Sequence, residues 1–233
     1  MHEVAVINNR REAIDAHTLI LEKPPGFSFV AGQYVLLQTK IHGRPLRRSY
    51  SIASAPHEQE IHITIRTQPQ GRVSPHLAEL QADDTIGLLG PVGEFVRGEE
   101  NHSVFVAAGA GITPFISMLR EAKHTNDTRQ VTLLYTNKTP EQRLYQEELH
   151  QLSQENDWLE IQETITQPQL SQEKWTHQTG RFTKQDLKDL LNNKTTFYLC
   201  GSNNMVRAFT AHLIELQASP EQIKTENYGN VYA

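Results

Sequence analysis

Residues 104–114 read Val-Phe-Val-Ala-Ala-Gly-Ala-Gly-Ile-Thr-Pro, an apolar run that ends in a glycine-rich turn. Five apolar residues in succession, 104–108, are typical of a short strand buried in a parallel sheet. Glycines permit a tight turn, and Pro114 suits the first turn of a helix because no backbone N–H is needed there. This stretch therefore predicts a strand, a turn and a helix that ends near Lys123, the opening unit of an α/β domain.

Strands and helices continue to alternate downstream of this segment. The predicted elements are, in chain order, strand 131–135, helix 140–156, strand 159–165, helix 183–191, strand 196–200, helix 205–217 and strand 223–228. Such alternation is typical of βαβ units and a parallel sheet. We therefore expect a Rossmann-like, nucleotide-binding α/β domain over residues 99–233.

The sequence upstream has a different pattern, in which short β-prone runs are separated by Pro and Gly. The predicted strands are 4–7, 17–21, 34–39, 49–54, 61–66 and 85–89, with one short helix at 74–80. Ile61, Ile63 and Ile65 alternate along one face of their strand. Many short strands at this spacing predict an antiparallel Greek-key β-barrel over residues 1–98. The polar stretch 98–102 is then the linker to the second domain.

Composition and charge exclude several classes of protein. The first 98 residues hold ten basic and ten acidic residues, so the net charge of −5 arises in the remainder, and no basic stripe indicates nucleic acid. Cys200 is the one cysteine in the sequence, which rules out an internal disulfide or a cysteine-ligated iron–sulfur cluster within these 233 residues. No signal peptide or apolar run long enough to span a membrane is evident, so we expect a cytoplasmic protein.

Two motifs carry possible chemistry. The turn at 109–114 places glycines and a helix start where a pyrophosphate would bind, although a plain strand-to-helix turn explains it equally well. Residues 48–51 read Arg-Ser-Tyr-Ser, and Arg48 and Tyr50 should point to the same face of their strand. An arginine forms two-pronged contacts with phosphate, so a flavin with its ring on Tyr50 would fit; an exposed basic strand is the alternative.

Taken in order, these motifs resemble the ferredoxin–NADP reductase family. The resemblance rests on R-x-Y-S in a barrel, G-x-G-I-x-P in an α/β half and Cys200-Gly201 before a late helix, and it runs from residues 29–34 to 226–228. It implies an NAD(P)H-dependent flavoprotein reductase that binds FAD, with FMN as the other choice, and takes NADPH or NADH as electron donor. The implied acceptor is a ferredoxin, a flavodoxin or an oxygenase component.

The resemblance also assigns flavin contacts in the first half. It implies that Arg48 holds the flavin phosphate, that Tyr50 lies against the ring, and that Ser51 bonds near N5. Gly71 and Ser74 match a glycine-to-serine segment that meets the flavin phosphate at a helix start. We add three neighbouring positions to the predicted flavin site: Ile63, Arg66 and Val73.

Ser74 also has a simpler interpretation from the sequence alone. A serine followed by Pro75 is a common helix start, with the serine as N-cap and the proline at the first helical position. The two roles are compatible with each other.

Further implied roles lie around the nicotinamide nucleotide. Gly109, Gly111 and Thr113 would border it, and Cys200 would sit beside the nicotinamide ring, with Gly201 and Met205 completing the family pattern. The alternative for Cys200 is a buried structural cysteine.

The C-terminal stretch carries the last two implied positions. Glu226 matches an acid that aids proton delivery, and Tyr228 matches an aromatic residue that covers the flavin. Five residues follow, including Tyr232, so either tyrosine fits the covering role, and a frayed tail with a solvated acid is the alternative.

The choice between NADPH and NADH depends on the end of the second strand of the α/β domain. An acid there binds the ribose hydroxyls in many NAD-dependent dehydrogenases. Here the strand runs into Asn137 and Lys138, with Arg143 nearby and no acid in the turn. Two cations favour a 2′-phosphate and hence NADPH. The alternative is that Lys138 and Arg143 are solvated charges, with Arg143 paired to Glu147 at helical spacing.

Three other functions remain open from the sequence. The first is a reductase that uses free flavin as a substrate, which leaves after reduction. The second is a redox-inert nucleotide-binding subunit, and the third is a two-electron dehydrogenase with an organic substrate. The eleven histidines show no metal-binding spacing, so no metal site is predicted.

Overall fold

The computed structural model describes residues 1–68 and 70–228, with the backbone alone described for Tyr228. The chain forms two compact units: Met1–Val96 with Thr113–Asn126, and Arg97–Ile112 with the chain from Asp127 onward. Within the described ranges, no helix is both long and apolar enough to cross a membrane.

The first unit is built on one antiparallel sheet. Its elements are β1 (His2–Ala13), β2 (Ala16–Glu22), β3 (Tyr34–Ile41), β4 (Arg44–Ser51), β5 (Glu60–Arg66), α1 (Val73–Ala78) and β6 (Thr85–Val92). The six strands are ordered β4-β3-β6-β1-β2-β5. The connection from β4 to β5 thus links the two outer strands of this order. The antiparallel sheet expected for the N-terminal half is confirmed.

Alternating apolar residues fill the interior of this sheet. Ile61, Ile63 and Ile65 of β5 are fully buried, and Val35 and Leu37 of β3 are buried with them. Val73 and Leu77 of α1 pack into the same cluster. Burial of a large aliphatic side chain contributes about 1.5–3 kcal/mol, so this alternation provides much of the drive to fold.

Helix α2 (Thr113–Thr125) packs within the first unit although it follows a strand of the second. The Ser117 hydroxyl donates to the Ser54 carbonyl at 2.7 Å, and Arg120 donates to the Ala53 carbonyl at 2.9 Å. Met118 lies so close to Gly32 that any side chain at position 32 would collide with it. The two hydrogen bonds hold the segment that follows β4.

The second unit contains the expected parallel sheet, which is confirmed. Its elements are β7 (His102–Ala108), β8 (Gln130–Asn137), α3 (Gln146–Glu155), β9 (Leu159–Ile165), α4 (Lys184–Leu190), β10 (Thr195–Ser202), α5 (Asn203–Glu215) and β11 (Ile223–Tyr228). The strands are ordered β11-β10-β7-β8-β9, all parallel. The carboxyl ends of β7, β8 and β10 therefore meet at one edge, where open α/β sheets bind ligands.

The helix expected over 140–156 is split in the structure. A short 3-10 turn, Pro140–Gln142, comes first, and α3 begins only at Gln146. Tyr145 has a φ of 57°, in the left-handed region, which separates the two pieces. Arg143 consequently lies outside any helix, and the expected helical spacing to Glu147 does not exist.

The stretch expected to be a polar linker is hydrogen-bonded to the second unit. The Gly98 N–H donates to the Tyr198 hydroxyl at 2.8 Å, and Arg129 donates to the Gly98 carbonyl at 2.6 Å. Arg97 donates to the Ser103 hydroxyl and to the Arg129 carbonyl. Burial raises the pKa of the Tyr198 hydroxyl, which therefore remains a neutral acceptor.

Candidate functional site

Arg48 and Tyr50 lie on one face of β4. The register with β3 pairs Arg48 with Leu37 and Tyr50 with Val35, and side chains directly opposite each other share a face. Leu37 and Val35 are core residues, so Arg48 and Tyr50 flank the core along an outer strand of the sheet. Their side chains are half-buried, which leaves part of each accessible to a ligand.

The Arg48 guanidinium is an available cation at this face. It donates to the Arg47 carbonyl at 2.7 Å. Over the described residues, no carboxylate lies within ion-pairing distance of it. An arginine that lacks a carboxylate partner keeps donors for a two-pronged contact with a phosphate. This environment fits the phosphate of a flavin nucleotide.

Tyr50 provides a flat apolar surface beside that cation. Burial raises the pKa of Tyr50 to about 12, although the nearby Arg48 charge opposes the shift. The ring is therefore neutral at physiological pH and packs against the core cluster. Ser51 follows it at the end of β4 and is buried. A neutral ring and a hydroxyl at the end of one strand suit the face and edge of a flavin ring.

The segment around α1 is tightly folded on itself. The helix begins at Val73, with Arg72 as N-cap, so Ser74 is not the cap and Pro75 is not the first helical residue. The Ser74 hydroxyl instead accepts a hydrogen bond from the Gln68 N–H at 3.0 Å. A Cβ at Gly71 would lie 3.1 Å from the Ser74 hydroxyl, so the glycine permits this close approach.

Three other expected flavin contacts are placed differently. The side chains of Ile63 and Val73 are enclosed in the core, so a flavin contact would fall to their backbone atoms. Arg66 lies at the end of β5 with its guanidinium 3.6 Å from an Asp15 carboxylate oxygen. It therefore differs from Arg48, whose guanidinium is free of such a partner over the described residues.

The glycine-rich turn of the second unit is a 3-10 turn, Gly109–Ile112. Gly109 has a φ of 56°, a backbone conformation that residues other than glycine seldom adopt. A Cβ at Gly111 would overlap the Cys200 carbonyl of β10. Both glycines are thus required by the backbone path. Thr113 follows as the buried first residue of α2.

Cys200 and Glu226 are neighbours on adjacent strands. The register of β10 pairs Cys200 with Ala107 of β7 and with Glu226 of β11. Cys200 is fully buried, and Glu226 is half-buried in a hydrogen-bonded strand rather than on a frayed tail. The parallel register brings a thiol and a carboxyl-bearing residue to the ligand-binding edge of the sheet.

Gly201 and Met205 border the same edge. A Cβ at Gly201 would lie 2.6 Å from the Met205 methyl carbon, so the two residues are in close contact. Tyr228 ends β11 opposite Ser202, and its side chain lies outside the described part of the chain, as does Tyr232. The covering role expected for one of these tyrosines therefore stays a prediction.

The cations expected near the ribose have different surroundings. Asn137 ends β8 and is buried, and Lys138 directly after it is exposed. Arg143 is paired to Glu163 of β9 at 3.2 Å. The pairing to Glu147 that the sequence offered is wrong, because Arg143 lies in a turn and not in α3.

Sequence reasoning missed several residues that shape these regions. Ser117 and Arg120 hold the backbone after β4, and Glu163 and Trp175 hold Arg143. Each acts across a long separation in sequence, and none lies in a motif. Nothing in local periodicity indicates them.

Both halves match known sequence families. Residues 7–96 match the oxidoreductase FAD-binding domain, and residues 105–211 match the oxidoreductase NAD-binding domain. The chain is 31% identical over 221 residues to NADH-cytochrome b5 reductase 1 of Aspergillus oryzae, a match that covers 89% of this chain and 72% of that protein. Several other curated relatives are longer, and the chain spans 42% of one of them and 39% of another.

Solved structures share the fold. The flavohem-like FAD/NAD-binding domain of nitric oxide dioxygenase from Vibrio cholerae has a TM-score of 0.85 at 22% identity, over 97% of this chain and 98% of that one. A ferredoxin NADP+ reductase from Neisseria gonorrhoeae has a TM-score of 0.83 at 22% identity, with the same coverage.

The sequence matches and the shared fold agree with the geometry of the two units. The antiparallel sheet carries the Arg-Ser-Tyr-Ser motif expected to bind a flavin, and the parallel sheet carries the glycine-rich turn expected to bind a nucleotide. The chain belongs to the ferredoxin–NADP reductase family of NAD(P)H-dependent flavoprotein oxidoreductases, with an FAD-binding domain followed by an NAD-binding domain.

Proposed function

We propose that this chain takes electrons from NAD(P)H, passes them through bound FAD and delivers them to a separate one-electron acceptor protein. The observation that carries the proposal is the pair Arg48 and Tyr50 on β4. A cation without a carboxylate partner over the described residues stands beside a neutral aromatic ring. That combination suits the phosphate and the ring of one flavin nucleotide.

Each residue of the first unit has a defined part in this proposal. Arg48 donates to the flavin phosphate, and Tyr50 supports the ring by packing. Ser51 provides a hydroxyl at the ring edge, while Gly71 and Ser74 offer a close backbone approach near the phosphate. Bound FAD supplies the ability to accept an electron pair from a nicotinamide and release electrons singly.

The second unit holds the electron donor in this proposal. Gly109 and Gly111 border the pyrophosphate of the nucleotide, and the backbone path demands glycine at both positions. Thr113, which follows them in the chain, is the third proposed pyrophosphate contact. Cys200 lies beside the nicotinamide and restricts its position, and Glu226 holds a proton for transfer. Tyr228 is proposed to cover the flavin until the nucleotide arrives.

The acceptor is proposed to be a small haem protein. A relative at 31% identity is named for cytochrome b5, which favours a haem carrier over a ferredoxin, a flavodoxin or an oxygenase component. With one cysteine in 233 residues, no cysteine-ligated cluster within this sequence can relay the electrons. Within this sequence, we propose that they leave from the flavin directly.

A direct test compares acceptors after gel filtration of the FAD-loaded protein. We expect retained FAD and rapid NADH- or NADPH-dependent reduction of cytochrome b5, with slower reduction of ferredoxin, flavodoxin and free FMN. Loss of all flavin on the column, with free FMN as the best acceptor, would support the flavin-as-substrate alternative instead. A protein that oxidises neither nucleotide with any acceptor would contradict the proposal.

A further inference from the structure

Arg143 is held on three sides within the second unit. Its guanidinium lies 3.2 Å from a Glu163 carboxylate oxygen and 4.9 Å from the centre of the Trp175 ring, and its Nε donates to the Pro140 carbonyl at 3.3 Å. The side chain is 11% exposed. The ion pair offsets the charge of the guanidinium, and the ring and the backbone carbonyl fix its orientation.

These contacts lie near the carboxyl ends of β8 and β9. Glu163 pairs in register with Tyr135 of β8, and the Tyr135 hydroxyl accepts a hydrogen bond from the Leu144 N–H at 3.0 Å. The turn that carries Arg143 is thereby fixed over the end of β8. In open α/β sheets that bind dinucleotides, the adenosine ribose lies at the end of this second strand.

Polar atoms without partners are concentrated at the same place. Asn137 is 4% exposed, yet within the described residues its side-chain nitrogen and oxygen have no hydrogen-bond partner, and neither does Glu163 Oε1. Buried polar groups are normally satisfied, so such atoms indicate a place where a polar ligand would bind. The Asn137 amide suits a ribose hydroxyl, because each of the two groups can both donate and accept a hydrogen bond.

We propose that Glu163 makes this nucleotide site selective for NADH over NADPH by occupying Arg143. A 2′-phosphate would have to bind beside Arg143, whose Nη1 already donates to Glu163. To take the place of Glu163, the phosphate would have to displace a partly buried carboxylate that also repels it. A ribose 2′-hydroxyl meets no such obstacle. This inference rests on the proposed function, since it concerns the donor of the same reaction.

Lys138 is the other cation near the end of β8. It is exposed, and a solvent-exposed lysine gains little from pairing with an anion because water screens the charge and its flexible side chain must be ordered. Lys138 therefore contributes less to selectivity than Arg143 would if it were released. Of the two cations that favoured NADPH from the sequence, only the exposed Lys138 is not paired to Glu163.

The test measures steady-state constants for both nucleotides with the FAD-loaded protein and ferricyanide as a non-specific acceptor. We expect NADH to be preferred by about tenfold in kcat/KM, the size of one charged hydrogen bond. Glu163→Gln should lower KM for NADPH about fivefold and change KM for NADH less than about twofold. Adding Arg143→Ala to that variant should remove the gain. Glu160→Gln, on the exposed face of β9, is the matched control and should alter neither constant.

A binding experiment separates this inference from the proposed function. Calorimetry with 2′,5′-ADP and 5′-ADP reports selectivity without any electron transfer, and Glu163→Gln should tighten the first ligand alone. A wild-type preference for NADPH, or a Glu163→Gln variant that affects both ligands equally, would overturn the inference and leave the reductase proposal standing. If the fragments bind selectively but neither nucleotide reduces the flavin, the proposed function fails and the selectivity of the site survives.

Discussion

Arg48 in the first unit and Arg143 in the second were both expected to bind phosphate, and the structure surrounds them differently. Arg48 contacts a backbone carbonyl and, within the described chain, has no carboxylate partner. Arg143 is paired to Glu163 and stacked on Trp175. An arginine near a ligand-binding edge is therefore not by itself a phosphate site. A phosphate site also requires that the guanidinium not already be paired with a carboxylate.

The two units also build their sites on different backbone elements. Arg48, Tyr50 and Ser51 lie on one hydrogen-bonded strand, so the pairing of β4 with β3 sets their positions. Gly109 and Gly111 lie in a turn whose path is set by close packing against β10. Removal of a side chain from β4 should therefore damage the flavin site selectively. The nucleotide site should instead be damaged when a side chain is added at one of the two glycines.

Loss of the Arg48 guanidinium should have the largest effect. Arg48→Ala removes the proposed phosphate contact, and two charge-assisted hydrogen bonds correspond to about 100-fold in FAD affinity. Fluorescence titration of the apoprotein with FAD measures this change. Arg47→Ala, which removes an exposed neighbour bonded to Gln38, is the matched control and should bind FAD normally. Equal affinity in the Arg48 and Arg47 variants would refute the assigned contact.

A methyl group at Gly111 should have the next largest effect. Gly111→Ala forces a Cβ against the Cys200 carbonyl, which as backbone has little freedom to move. We expect a loss of about 2 kcal/mol in the free energy of unfolding, together with weaker NADH binding. Gly87→Ala is a milder control in the first unit, where the added Cβ meets Gln38 at 3.2 Å. Denaturant titration measures the stability of the Gly111→Ala and Gly87→Ala variants, and NADH saturation curves measure their nucleotide binding. A Gly111→Ala variant as stable as the wild type would show that the turn relaxes freely.

Replacement of the Cys200 thiol should have a smaller effect that is confined to chemistry. Cys200→Ser keeps the volume close to native but adds a stronger hydrogen-bonding group at a fully buried position. If the thiol borders the nicotinamide, flavin reduction in a stopped-flow experiment should slow about fivefold with FAD still bound. An unchanged rate would return Cys200 to a structural role.

The acid stability of the second unit should show the smallest effect. A hydrogen bond from the Arg129 guanidinium holds the pKa of Asp127 at about 2, below its ordinary value of 3.8. Because the folded pKa is the lower one, the contribution to stability is complete above about pH 4 and is lost as the pH falls towards 2. Asp127→Asn should therefore cost about 1 kcal/mol at pH 7, after allowance for solvent screening, and almost nothing at pH 2.

Thermal unfolding across this pH range measures the effect of the Asp127 variant. Asp157→Asn, which removes an exposed carboxylate from a turn of the same unit, is the matched control. A constant difference between Asp127→Asn and the wild type at all pH values would indicate that packing, and not charge, causes the loss.

The fold was predictable where the local pattern and the long-range packing agree. Alternating isoleucines at 61, 63 and 65 predicted β5, and the apolar run before Gly109 predicted the central strand of the parallel sheet. β1 was predicted as four residues but spans His2–Ala13. Its polar second half has little intrinsic strand preference and is held in the sheet by pairing with β2, which a local pattern cannot reveal.

The motif residues of the candidate site were predictable, but their partners were not. Arg48, Gly109 and Cys200 stand in recognisable motifs. Glu163 meets Arg143 across 20 positions, and Tyr198 meets Gly98 across 100. Such pairings depend on strand order, which follows from the assembled sheet and not from any segment alone. For the same reason the packing of α2 within the first unit was not predicted.

The proposed reductase function requires that this chain bind a flavin and reduce it with a nicotinamide nucleotide. The most direct measurement is the visible absorption spectrum of the FAD-loaded, gel-filtered protein under anaerobic conditions, before and after addition of NADH and, separately, NADPH. We expect flavin bands that survive gel filtration and bleach on addition of nucleotide, faster with NADH than with NADPH. A protein that retains no flavin, or whose flavin bands persist with both nucleotides, would contradict it.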